Sequence, residues 1–149
     1  MQISSRFTIA TYMLTLIVLE CQERKVTSDV LAASIGVNPV IIRKILSQLK
    51  SADLISVARG RGGASIRKDL KDMTLLDVYQ VVESLGKSGK LFNFHEHPNP
   101  DCPIGRNIHF VLDDKLAEIQ TVMEEELNKT SLADVVASAQ EEIKKQSVS

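Results

Sequence analysis

Apolar and polar positions alternate at helical spacing through most of this chain, with one short interruption of strand character. From Ser4 to about Glu20, the residues Phe7, Ala10, Leu14, Ile17 and Val18 recur on one side behind a serine cap. That spacing predicts an amphipathic to largely buried helix, with Cys21 at its end in the core. After a polar break, Thr27 or Ser28 caps a short helix to Ile35 with Leu31, Ala32 and Ile35 inward, and Gly36 stops it because a left-handed cap costs glycine least. Asn38 then caps a third helix that begins at Pro39. Ile42, Ile45, Leu46 and Leu49 lie on one face of it, while Val40, Arg43, Lys44 and Ser47 repeat the spacing on the opposite face. Two helices joined by so tight a turn predict a helix-turn-helix, with one face of the third helix packed and the other free.

Leu54 to Ala58 and Ala64 to Ile66 read as short strands around Arg59-Gly60-Arg61-Gly62-Gly63, which predicts a hairpin with an arginine-bearing tip. A hairpin directly after a helix-turn-helix is the layout of a winged helix. Thr74 opens another helix with Asp77 as its capping-box partner, Leu75, Val78, Val82 and Leu85 along one side, and Gly86 at its end. Residues 87–103 are irregular. Beyond Gly105 there is neither glycine nor proline, and Ile108, Leu112, Leu116, Ile119, Met123 and Leu127 step by threes and fours, which predicts one long amphipathic helix. Ser131 caps a final helix from Leu132 to Ile143. The expected fold class is mainly α with a small β-hairpin wing: residues 1–72 form the winged helix-turn-helix, and residues 73–149 a linker helix, a sensor loop and dimerisation helices. No second core in the sequence covers the stripe of the long helix, and the simplest cover is its twin in a two-fold homodimer.

Composition narrows the function. A chain of 149 residues with 44% hydrophobic and 25% charged positions suits a globular domain with an appendage, too small for a large enzyme scaffold. Aromatic residues at 4% and the absence of Trp leave little for a platform that stacks single-stranded nucleic acid. The apolar run Phe7 to Leu19 is broken by three threonines and falls short of the roughly 20 residues of a membrane span. Its flanks do not fit a signal peptide, and two cysteines suit a reducing compartment, so no membrane association and a cytoplasmic location are expected. No nucleophile elbow, His-Glu-x-x-His helix or paired carboxylates in a cleft are present, and no enzyme is expected.

The formal net charge of -1 conceals an asymmetry. Residues 1–70 hold ten Lys or Arg against five Asp or Glu, and residues 71–149 hold eight against fourteen. A basic first half points to a polyanion, and double-stranded DNA asks for cations to neutralise phosphates and side chains to reach base edges. The candidate DNA-binding residues are Thr27, Asn38, Val40, Arg43, Lys44 and Ser47 of the helix-turn-helix, with Arg59, Gly60 and Arg61 of the wing entering the minor groove. The plainer alternatives are a solvated helix face beside a tight turn, or a winged helix that binds a protein. A nucleotide-binding loop at Gly60 to Gly63 is disfavoured because no Lys-Ser or Lys-Thr follows.

Val26-Thr27, the helix-turn-helix through Leu49, Asp53-Leu54-Ile55, the wing Arg59-Gly60-x-x-Gly63, Thr74-Leu75-x-Asp77-Val78, Val82-Glu83 and Ser131-Leu132-Ala133-Asp134-Val135 together resemble the Rrf-two family of bacterial transcriptional regulators. The resemblance spans nearly the whole chain. It implies a winged-helix homodimer on a palindromic promoter site, expected to repress, with the long helix as dimer seam. It also implies that Val40, Arg43 and Lys44 read bases and that Arg59 is the minor-groove arginine. Members that bind an iron-sulfur cluster carry three cysteines ahead of the long helix. Only Cys102 stands there in this chain, in Pro100-Asp101-Cys102-Pro103-Ile104-Gly105, so no cluster and no other cofactor is expected. Three roles remain open for Cys102. It is a redox or electrophile sensor activated by the helix N-terminus, a zinc ligand with His95, His97 and His109, or a packing residue.

Overall fold

The elements follow in the order α1 (Ser5–Glu20), α2 (Ser28–Ile35), α3 (Pro39–Ser51), β1 (Ile55–Val57), β2 (Ala64–Ile66), α4 (Leu75–Val82), α5 (Pro103–Leu127) and α6 (Leu132–Ser147). This is a computed structural model, and it describes residues 4–59, 62–83, 89–92 and 97–147. Helix α1 is the central element, with α2, α4, α6 and β2 packed against it. Its threonines do not obstruct that burial. The hydroxyls of Thr8, Thr11 and Thr15 donate to the carbonyls of Ser5, Phe7 and Thr11 at 2.9, 2.9 and 2.8 Å, so they are satisfied within the helix. Ala10, Met13, Leu14 and Ile17 are fully buried.

The helix-turn-helix forms from the signals in its sequence. Thr27 caps α2 by accepting from the Val30 amide at 3.3 Å, and Gly36 ends it at φ +78°. Asn38 accepts from the Val40 amide at 2.9 Å, Pro39 opens α3, and the two helices meet at 120°. Ile42, Ile45 and Leu49 seat the inner face of α3 in the core. Helix α3 ends in a Schellman turn in which the Asp53 amide donates to Lys50 O and the Leu54 amide to Leu49 O, with Asp53 left-handed at φ 60°. Leu54 therefore belongs to the helix stop, and the strand expected from Leu54 to Ala58 is Ile55–Val57.

The strands pair antiparallel in the register Ile55–Ile66, Ser56–Ser65 and Val57–Ala64. Two glycines in the connection serve the fold itself. A Cβ on Gly62 would collide with Ala58 Cβ, and one on Gly63 would meet the Val26 amide nitrogen at 2.5 Å. The Ala64 amide donates to Val26 O at 2.9 Å, so the root of the wing is fastened to the start of the helix-turn-helix.

A second fastening joins α4 to α6. Thr74 and Asp77 exchange side chain to backbone hydrogen bonds at 3.0 and 3.2 Å, and Ser131 and Asp134 do the same at the same distances. These two capping boxes lie side by side, because the Leu75 amide donates to Thr130 O and the Leu132 amide to Met73 O. The repeated pattern Thr74-Leu75-Leu76-Asp77-Val78 and Ser131-Leu132-Ala133-Asp134-Val135 is thus a backbone clasp.

One apolar core unites α1, α2, α3, the hairpin, α4 and α6, with Met73, Leu132 and Val136 among its members. Residues 73–149 contribute both to this core and to α5, in which no residue is buried. Helix α6 runs a turn past Ile143 to Ser147, where Lys144 and Lys145 suit the negative end of the helix dipole. Helix α4 ends at Val82, short of the end expected at Leu85 and Gly86, because Glu83 turns extended at φ -87° and ψ 122° while its amide donates to Tyr79 O. Leu85 and Gly86 themselves lie outside the described residues. Among the described residues no single helix is long and apolar enough to cross a membrane.

Candidate nucleic-acid interface

Because Ile42, Ile45 and Leu49 point inward, the periodicity of α3 turns Val40, Arg43, Lys44, Ser47 and Lys50 outward, and all five are exposed. Val40 is 61% exposed in the first turn, an apolar side chain placed where recognition helices meet base edges. Asn38 is exposed at the N-cap, where its oxygen is used by the helix and its amide protons meet no acceptor among the described residues. Thr27 is half-buried at the start of α2. Arg59 is exposed at the head of the wing loop, which closes where the Ala58 amide donates to Gly63 O at 3.3 Å. Gly60 and Arg61 lie outside the described residues. The sequence reading passed over Lys50, although it stands seven residues after Arg43 and so on the same side of α3.

The ion pairs are distributed unevenly. Arg24 pairs with Glu20, Arg67 with Asp53 at 3.5 Å and Lys68 with Asp77 at 3.6 Å. Arg43, Lys44, Lys50 and Arg59 have no ion-pair partner among the described residues. The face formed by α3 and the wing therefore carries four cations without ion-pair partners among the described residues, while Arg24, Arg67 and Lys68 near it are paired. A cleft of about 360 Å³ runs between α3, the start of α2 and the wing root, with Arg43 and Lys50 on its α3 wall.

Helix α5 divides the six expected seam residues between two sides. Leu116, Met123 and Leu127 are half-buried on the side turned toward the protein's own chain. There Gln120 donates to Gly89 O at 2.9 Å and accepts from the Leu91 amide at 2.8 Å. Nearby on α4 the Tyr79 hydroxyl is buried with no hydrogen-bond partner among the described residues. Burial, with Glu83 and Glu124 adding to it, raises its pKa. Leu112 and Ile119 face outward, Ile108 shares their side half-buried, and Ile104, Val111 and Val122 extend the same stripe. Ile104 is 73% exposed and Val122 59%. The sequence reading missed these three because it followed a single register of threes and fours along a 25-residue helix that carries two.

Cys102 is half-buried at the N-cap of α5, and its thiol makes no capping hydrogen bond. His109 Nδ1 lies 3.2 Å from Asp113 Oδ1, His97 is exposed, and His95 lies outside the described residues.

The pattern of the Rrf2 family, described as an iron-dependent transcriptional regulator, matches residues 3–138. The chain belongs to the Rrf2 family. It is 41% identical over 134 residues to YwnA of Bacillus subtilis, which bears the provisional name of an HTH-type transcriptional regulator. That match covers 90% of this chain and 96% of YwnA. A crystal structure whose protein is provisionally described as DNA-binding is 37% identical with a TM-score of 0.69, covering 88% of this chain and 98% of that one. The same architecture occurs in T. potens IscR at 20% identity and a TM-score of 0.69, covering 95% and 90%. This Rrf2 protein is accordingly a winged-helix DNA-binding regulator and not an enzyme. Iron in the family description raises the question of a cluster, and the donor set of this chain does not fit one. Cys21 closes α1, packs against the core and has its Sγ 3.9 Å from Val18 O, which leaves Cys102 as the one thiol ahead of α5. Among the described residues no group of three or more His, Cys, Asp or Glu side chains gathers to hold a metal ion.

Proposed function

We propose that this Rrf2 protein acts in the cytoplasm as a homodimeric repressor on a palindromic promoter site, without an iron-sulfur cluster. Helix α3 enters the major groove with Val40, Arg43, Lys44 and Ser47 toward the bases, Asn38 and Thr27 lie near the backbone, and Arg59 with its neighbours Gly60 and Arg61 enters the adjoining minor groove. The observation that carries this reading is the gathering of Arg43, Lys44 and Arg59 on one exposed face, none with an ion-pair partner among the described residues. The outer stripe of α5, Ile104, Ile108, Val111, Leu112, Ile119 and Val122, supplies the apolar surface for the second copy. Paired half-sites one helical turn apart require such a two-fold.

The test is a binding titration against duplexes enriched from a random pool. Arg43→Ala is expected to relax sequence preference at the cost of about 1–3 kcal/mol on the preferred site, and Arg59→Ala to weaken all duplexes more evenly. Association should fall steeply with salt. Salt-insensitive binding with no preferred duplex would favour a protein-interaction module instead. Cys102 is the position proposed to answer oxidants or electrophiles, on the strength of a thiol free of capping bonds at the start of the long helix. If Cys102→Ser lost DNA binding under oxidant as the parent does, that role would be withdrawn.

A further inference from the structure

On the DNA-binding reading, a helix in the major groove and a wing in the adjoining minor groove straddle the sugar-phosphate strand that separates the two grooves, and a cleft opens between α3 and the wing root. Arg43, Ser47 and Lys50 form one wall, Thr27 and Ser28 the end, and Gly62 with Ala64 the opposite wall. Every polar group brought there by helix geometry can donate. Arg43 and Lys50 have no ion-pair partner among the described residues. The Thr27 oxygen is engaged by the Val30 amide, which leaves its hydroxyl proton to point elsewhere. Ser28 brings a hydroxyl and, as the first residue of α2, an amide without an intrahelical acceptor. Asp29 follows in the same turn, but it is exposed and does not line the cleft. Val26, Leu46 and Val57 make the rest of the lining apolar, which strengthens charge–dipole attraction at the rim.

The geometry points to a seat for one backbone phosphodiester of the duplex, held by Lys50 and Ser28 together with Thr27, with Arg43 passing along the α3 wall toward the bases. The inference rests on the DNA-binding reading and adds Lys50 and Ser28 to it. A phosphate held here fixes the register of α3 relative to the wing and carries no sequence information. Lys50 and Ser28 therefore set affinity and salt dependence, whereas Val40 and Lys44, which lie outside the cleft, and Arg43 on its α3 wall are left to the bases.

The experiment uses the full chain and the duplex it enriches from a random pool. Lys50→Gln should make the slope of log affinity against log salt shallower by about 0.9, the effect of one phosphate contact. Ser28→Ala should weaken binding severalfold. Both losses should be the same on the preferred duplex and on its single-base variants, with thermal melting unchanged. An unchanged slope in Lys50→Gln would overturn the seat, as would a shift in its sequence preference, which would make Lys50 a base reader. Inorganic phosphate compared with chloride at equal ionic strength separates a duplex seat from a free-anion site. Extra competition by phosphate in the parent but not in Lys50→Gln would assign the cleft to the free ion. If the parent enriches no duplex, the DNA-binding reading itself fails and the seat with it, a result distinct from a parent that binds and a Lys50→Gln protein that binds identically.

Discussion

Helices α3 and α5 have similar amphipathic spacing and opposite surroundings. The apolar face of α3 is closed by the core, with Ile42, Ile45 and Leu49 fully buried, and its free face carries Arg43, Lys44 and Lys50. Helix α5 has 25 residues, none of them buried, and its free face is the apolar one. Periodicity alone therefore says that a helix has two faces. What it leaves unsaid is which face the protein's own chain will cover. The chemistry of the uncovered face then selects the partner: cations in water wait for a polyanion at little cost, whereas each exposed aliphatic side chain on α5 forgoes about 1.5–3 kcal/mol until a surface meets it.

The sharpest way to break this contrast is to treat one aliphatic residue on each helix. Ile45→Ala in α3 removes atoms from a filled core and is expected to destabilise folding by about 2–5 kcal/mol, measured by urea denaturation. Ile119→Glu in α5 is expected to keep the helical content and abolish self-association, seen as a shift from dimer to monomer in sedimentation. DNA affinity should fall with it, because the two half-sites are then read by separate molecules. A protein carrying Ile119→Glu that still sediments as a dimer would remove the outer stripe as the seam.

The same contrast explains what could be read in the sequence. Elements with local signals were legible: the caps Thr27, Asn38 and Thr74, the stop at Gly36 and the inner stripe of α3 all form as their chemistry dictates. The strand start at Leu54 was misplaced because a left-handed Asp53, which sequence does not advertise as glycine would, folds Leu54 into the helix stop. Gly62 and Gly63 were legible as a turn but not as close approaches to Ala58 and Val26, since those contacts exist only after the wing docks. The exposed cations Arg43, Lys44 and Arg59 were legible as a candidate face for DNA. Lys50 and Ser28 were not, because their interest lies in sharing a cleft with residues of another element. On α5 the two stripes separate only when the segment 89–92 and α4 are seen to occupy one side.

A smaller effect bears on how the core holds the projecting helix. The clasp of Thr74 and Asp77 against Ser131 and Asp134 adjoins Thr130, three residues past the end of α5. Thr74→Ala deletes the oxygen that accepts from the Asp77 amide and should cost about 1 kcal/mol, with Thr74→Ser restoring it. Equal urea midpoints for the parent and Thr74→Ala would show that the backbone bonds of the clasp suffice without the cap.

The smallest effect tests the opposite end of α3, where stability and charge compete. Asp53 occupies the left-handed position that glycine fills without penalty, and it pairs with Arg67 at 3.5 Å between side chains that are both largely exposed. An exposed pair of that length contributes little. Asp53→Gly relieves about 1 kcal/mol of backbone strain and returns about half of that as unfolded-state entropy, so a net gain of about 0.5 kcal/mol is expected. The substitution also frees Arg67 beside the wing and should tighten non-specific duplex binding slightly at low salt. If the Asp53→Gly protein melts below the parent, the Asp53–Arg67 pair outweighs the strained backbone. In that case the carboxylate at position 53 holds the wing against α3 and does more than end the helix.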